Sequence, residues 1–197
     1  ATLINLMVSF SLCLLIVDEK QKSLRTFFEV GSFSIICISP LVFGTALFLL
    51  LFEYIDISAN ALLLTGVTNG VLMIPISMAI LLPGFKRLKA RYGKLMNIIG
   101  VPGTSELVKF YVPLLKKNIK FSCALVFTLS IGDLGIIVLF SGTDIGTLPM
   151  YLYRLIGSYR MDEAYFVAMI LLLMAFFSFW LIENGNLNVF KRKKMSD

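Results

Sequence analysis

The sequence predicts an all-α protein: a polytopic transmembrane helical bundle of about five spans, with a basic helix–turn–helix on one side. Three observations carry this. Of 197 residues, 58% are apolar and the mean hydropathy is +0.88, whereas soluble domains sit near 45–50% apolar. Apolar runs recur at roughly the 20 residues that cross a ~30 Å hydrocarbon core. The basic residues are sorted by loop, with 16 of the 18 Lys and Arg on one side of the expected spans.

The first span is Ala1–Val17, short and already inside an apolar run at its first residue. No basic n-region or small-residue cleavage site precedes it, so it does not read as a signal peptide. The chain reads as cut from a longer protein. The second span, Val30–Phe52, contains Pro40, and the third, Ile57–Leu82, contains Pro75. A bundle tolerates such prolines because neighbouring groups satisfy the carbonyls they free. Pro83-Gly84 is expected to end the third span. The fourth is about Phe121–Phe140 and the fifth about Ala164–Ile182. No internal repeat or linker divides 1–197, which is read as one membrane domain.

Charge sets the orientation. Lys20, Lys22 and Arg25 lie between spans one and two, nine basic residues from Lys86 to Lys120 between spans three and four, and Lys191–Lys194 in the tail. Only Arg154 and Arg160 lie opposite. The positive-inside rule then puts the long loop and the C-terminus in the cytoplasm. The expected location is the inner (plasma) membrane, multi-pass, with lipid as a partner. The net charge of +6 is read as topology, not as nucleic-acid binding. Tyr54, Tyr151, Tyr153, Tyr159 and Tyr165 cluster toward the outer ends, as an interfacial aromatic belt would.

Catalysis finds no support. The chain has no His, no Gly-x-x-x-x-Gly-Lys-Ser/Thr phosphate loop and no Gly-x-Ser-x-Gly elbow. Cys13, Cys37 and Cys123 are too scattered for a metal motif and read as small packing residues. No catalytic residue, metal site or cofactor is expected in this chain.

Residues 83–120 form the chemically distinctive segment. Leu88, Tyr92, Leu95, Met96 and Ile99 recur at helical spacing among Lys and Arg. Gly100 and Val101-Pro102-Gly103-Thr104 stop that helix. Thr104 or Ser105 can cap a second short helix through Leu107, Val108 and Tyr111, which Pro113 is expected to limit. Taken alone, such an amphipathic hairpin serves equally well as an anchor at the lipid headgroups.

Lys94-Leu95-Met96, then Gly100 after three intervening residues, then Phe110-Tyr111-Val112-Pro113 resembles the EAA loop of binding-protein-dependent ABC importer permeases. Gly100 and Pro113 match that pattern, Phe110 and Val112 are apolar substitutes, and Lys94-Leu95-Met96 replaces the name-giving triplet. Ser130-Ile-Gly-Asp-Leu-Gly-Ile-Ile-Val-Leu-Phe140, Thr147-Leu-Pro-Met-Tyr-Leu-Tyr153 and Ile156-Gly-Ser-Tyr-Arg160 resemble the C-terminal part of thiamine importer permeases. The resemblance extends over roughly residues 40–183. It implies a MetI-like permease fold, here the second half of a two-repeat chain. It implies as partners ABC ATPase subunits carrying ATP-Mg, a substrate-binding protein and a second permease half or subunit. It also implies that Leu95, Met96, Ile99, Gly100, Val101 and Pro113 couple the membrane domain to the ATPase. The implied substrate is thiamine or its phosphate esters. The alternatives within the class are ferric iron, a polyamine or an oxyanion. Outside it stand an ion-coupled secondary transporter and a structural membrane subunit.

Asp133 is the one acid well inside an expected span, and such a group is a candidate for a pathway or a structural partner. The structural reading, pairing with a helix end or with a polar group near Thr68 or Asn69, is preferred here. Tyr151, Tyr153, Tyr159 and Arg160 form an outer loop that suits either a contact with a binding protein or an interfacial belt.

Overall fold

The computed structural model describes residues 1–19, 21–54, 60–99, 104–140 and 147–184, with the backbone alone over 94–99 and 104–110. Among these residues nine α-helices follow one another: α1 Thr2–Asp18, α2 Lys22–Ser34, α3 Pro40–Leu51, α4 Ala61–Leu72, α5 Ile74–Ile99, α6 Thr104–Ile131, α7 Gly135–Phe140, α8 Leu148–Gly157 and α9 Met161–Asn184. A 3-10 turn, Ile35–Cys37, links α2 to α3. No strand occurs among the described residues.

The prolines divide by position. Pro40 opens α3, where its missing N–H costs nothing and its fixed φ suits a helix start. Ile38 and Ser39 before it are extended, as the residue before proline prefers. The expected second span is therefore broken, and α2 and α3 meet at 93°. Pro75 sits in the first turn of α5, and α4 and α5 bend by 43° at Met73. Pro83, expected to end the third span, instead lies inside α5, and Pro113, expected to limit the second short helix, lies inside α6. The hairpin arms are thus the ends of two long helices rather than separate short ones.

At Pro83 the reason is tertiary. Interior proline disturbs the carbonyls one turn earlier. Asn118 on α6 donates from Nδ2 to the Ile80 carbonyl at 3.1 Å. Gly84 lets the helices close: a Cβ there would lie 2.7 Å from Leu115 Cδ2.

The main core joins α1, α5 and α6 through Cys13, Ile16, Val17, Met78, Leu81, Phe85, Tyr111 and Leu115. A smaller one joins α4 and α7 through Ala61, Ile136 and Phe140, with Leu47 and Phe48 of α3 against it. A third joins α8 and α9 through Leu155, Ala164 and Val167. By length and composition α9 can cross a membrane alone, and the bent pairs α2–α3 and α4–α5 bring the number to three if each is one span. α1 is a shorter apolar helix of 17 residues. The expected fourth span is interrupted, α6 ending at Ile131 and α7 starting at Gly135. α9 leaves Phe166, Leu172 and Phe176 about 70% exposed, a surface suited to lipid.

Candidate functional site

The α5–α6 pair is an antiparallel hairpin. Ser77 meets Ser122, Ile80 meets Asn118, Gly84 meets Leu115, and the Phe85 and Tyr111 rings lie 4.9 Å apart. Beyond Phe85, α5 runs about 14 residues further, roughly 21 Å at 1.5 Å per residue. Leu95, Met96 and Ile99 lie on that last stretch of α5, and Pro113 is exposed on the facing part of α6. Gly100 and Val101 lie outside the described residues.

The base of the hairpin is tied to α1 and α2 by charge. Lys86 pairs with Glu29 at 2.6 Å, and Lys89 pairs with Asp18 at 3.3 Å. Lys89 also donates to the Val17 carbonyl, one of the orphan acceptors of the α1 C-terminus. Burial, and secondarily the Asp18 carboxylate, push the Tyr111 phenol above its ordinary range.

A polar clip at the α4–α5 bend was not anticipated from the sequence. Asn5 of α1 is fully buried. Its Nδ2 donates to the Gly70 carbonyl at 2.9 Å. That carbonyl belongs to the last turn of α4, where intrahelical donors run out. The Asn5 Oδ1 accepts from the Ser77 hydroxyl in the first turn of α5. Ser122 of α6 donates to Ser77 at 2.9 Å. One side chain therefore spans both sides of the bend and, through Ser77, links four helices. The available signal was a lone amide in the apolar run Thr2–Val17.

Asp133 sits in the break between α6 and α7. Its Oδ1 accepts the Gly135 N–H at 2.9 Å, at the start of α7. Thr68 and Asn69 are not its partners: Thr68 bonds the Leu64 carbonyl, and the buried Asn69 Nδ2 has no partner among the described residues. Asp133 lines a cavity of about 400 Å³ with Thr65, Gly66, Ser130 and Thr147.

Tyr151, Tyr153, Tyr159 and Arg160 are all exposed. The end of α8 positions the last two. Arg160 N–H bonds the Leu155 carbonyl and Tyr159 N–H the Ile156 carbonyl, a Schellman closure whose left-handed position normally takes glycine. Here Tyr159 holds it, with φ +60°, and its side chain is 86% exposed. Arg160 pairs with Glu163 in the first turn of α9. The structure does not bring this group and the hairpin together into one site. Among the described residues no cluster of three His, Cys, Asp or Glu could hold a metal ion.

Comparison with known proteins finds clear relatives. The chain is 36% identical over 155 residues to the thiamine transport system permease protein ThiP of Escherichia coli K12, covering 79% of this chain and 29% of that protein. It is 31% identical over 168 residues to ThiP of Brucella abortus, covering 84% and 31%. For ThiP of Haemophilus influenzae the identity is 30% over 140 residues, covering 71% and 26%. No family model and no solved structure matches the chain. The chain is thus related by sequence to the ThiP permease proteins, and it spans about a third of the length of these relatives.

Proposed function

We propose that the chain is part of the membrane-embedded permease of an ABC importer that moves thiamine or its phosphate esters into the cell, corresponding to the C-terminal portion of a longer permease. One observation carries this: the match to thiamine transport permeases runs through 79–84% of the chain at 31–36% identity. The fold is compatible with it, since a long antiparallel hairpin projects from a helical bundle.

In this reading a partner ATPase binds the hairpin tip around Leu95–Val101 and hydrolyses ATP there, not in this chain. A binding protein delivers substrate to the opposite face, near Tyr151, Tyr153, Tyr159 and Arg160. Such coupling needs an element with two arrangements whose balance the ATPase shifts. α5 suits the task because it is continuous from the α4–α5 bend to the tip, so displacement of the tip acts on the bend. The Lys86–Glu29 and Lys89–Asp18 pairs make α1 and α2 move with it.

The test is uptake of labelled thiamine by cells lacking their own importer, supplied with the full-length permease, its ATPase and its binding protein. ATP-dependent accumulation is expected. Transport of a polyamine, ferric iron or an oxyanion in its place overturns the substrate assignment. Uptake that persists without the ATPase, but collapses with the ion gradient, overturns the class.

A further inference from the structure

The two arms of the hairpin take on charge at different depths. Leu115 meets Gly84, and Asn118 meets the Ile80 carbonyl. Lys116, Lys117 and Lys120 of α6 therefore lie level with residues 78–83 of α5, which are all apolar. The first cation of α5 is Lys86. Counted through the Asn118–Ile80 contact, Lys120 sits roughly 12 Å from it along the hairpin, toward the bundle, at 1.5 Å per residue. Leu115, Asn118 and Ser122 mark the side of α6 that faces α5. The three lysines fall on the other side by the 3.6-residue period, and Lys116 and Lys117 are exposed.

α9 gives the same depth independently. It runs antiparallel to α6, since Ser130 and Leu171 line one cavity and the Phe121 and Phe179 rings lie 6.0 Å apart. The apolar run of α9 thus ends at Ile182 beside the lysines. Trp180, the only tryptophan of the chain, stands there half exposed and stacked with Phe177 at 6.2 Å. Tryptophan at the end of an apolar span marks the headgroup level.

Negative charge is scarce at this level. α5 has no acid, and α6 has none beyond Glu106. Among the described residues of α5, α6 and α9, only Glu183 comes near it, with one carboxylate oxygen buried and without a hydrogen-bond partner. One carboxylate against three ammonium groups leaves an excess of positive charge. Lys116 and Lys120, four residues apart on one helix, also repel each other. Lys86 and Lys89 differ, because Glu29 and Asp18 balance them. Lysine stems can lie along apolar surface while their heads reach phosphate. The tip that the importer reading gives to the ATPase is at the far end of the hairpin, on the other side of Lys86.

We propose that Lys116, Lys117 and Lys120 of α6, with Phe177 and Trp180 of α9, form a binding site for an anionic phospholipid of the cytoplasmic leaflet. The ammonium groups hold its phosphate, and Phe121 and the aromatic pair pack against the first part of its acyl chains. The assignment does not depend on which substrate is transported.

The test places the full-length permease in phosphatidylcholine vesicles containing a trace of phosphatidylglycerol with a photoreactive headgroup. Light is expected to attach the probe to peptides holding residues 116–121 or 177–181. Unlabelled phosphatidylglycerol should compete at least tenfold better than phosphatidylcholine. Lys117→Gln combined with Lys120→Gln should cut labelling of those peptides at least tenfold, since each lysine near an anionic lipid contributes about fivefold. Lys117→Arg combined with Lys120→Arg should keep it. Equal competition by the two lipids overturns the proposal, and this arm uses the wild type alone, so it decides also where the glutamine variant fails to assemble. Unchanged labelling in an assembled glutamine variant overturns it too. Displacement by soluble glycerol phosphate as effective as by the lipid overturns it in favour of a free anion. Labelling suppressed by the purified ATPase overturns it in favour of a protein dock.

Discussion

Replacing Asn5 by Leu removes the one side chain that bridges the α4–α5 bend. Two bonds are lost, to the Gly70 carbonyl at 2.9 Å and from the Ser77 hydroxyl. Interhelical hydrogen bonds in membranes average about 0.6 kcal/mol and reach about 1.7, so the pair is worth about 1–3 kcal/mol. The Gly70 carbonyl cannot recover its partner from water, because the site is closed by α1 itself. A Cβ on Gly70 would lie 3.0 Å from the Ala1 carbonyl oxygen. The entropy of unfolding grows with chain length, and at about 1 °C per kcal/mol for a chain some three times longer than this one the melting temperature of the detergent-purified full-length permease should fall by roughly 1–3 °C. Ser77→Ala also breaks the link to Asn5, and breaks that to Ser122, but it leaves Gly70 satisfied. It should cost less than Asn5→Leu. Because both variants delete the Asn5–Ser77 bond, the double variant should lose less than the sum of the two. Additive losses, or an Asn5→Leu protein that melts with the wild type, would refute the clip.

Three further outcomes are expected. Gly100→Asp should impair uptake and weaken ATPase docking without blocking membrane insertion, because glycine permits a close approach that a bulky anion does not; full substrate-stimulated ATP hydrolysis in the assembled transporter would count against this. In a background freed of Cys13, Cys37 and Cys123, a cysteine at the exposed Tyr159 should react with an impermeant reagent in sealed cells, and one at the exposed Lys117 should not; the reverse pattern would invert the topology. Tyr159→Gly should raise the melting temperature by relieving a left-handed conformation that costs roughly 1–2 kcal/mol for a residue with a side chain; if Tyr159 also meets the binding protein, the stabilised variant should need more loaded binding protein for half-maximal uptake, and unchanged dependence would make it a belt residue.

What could be read in advance depended on how local the cause was. α9 was legible almost to its ends, Ala164–Ile182 expected and Met161–Asn184 observed, because no proline or charge interrupts an apolar run of spanning length. The prolines were not legible one by one. Pro40 opens a helix after a break and Pro83 sits inside one, yet each follows an apolar run and looks alike in sequence. The difference lies with Asn118, 35 residues beyond Pro83, which serves the Ile80 carbonyl, and with Gly84, which lets α6 approach. Asp133 was noticed because it is charged, but the cavity it lines exists only once α4 and α8 are brought beside it. Asn5 carries no charge and gives no such signal. Where water is absent the relevant property is unmet hydrogen-bonding capacity, which an amide has nearly as much of as a carboxylate. By that criterion Asn5, Ser77 and Ser122 stood out in their runs as clearly as Asp133. They mark the α4–α5 bend, and Asp133 marks the break between α6 and α7, so in both places the polar side chain serves backbone groups that an uninterrupted helix would have satisfied itself.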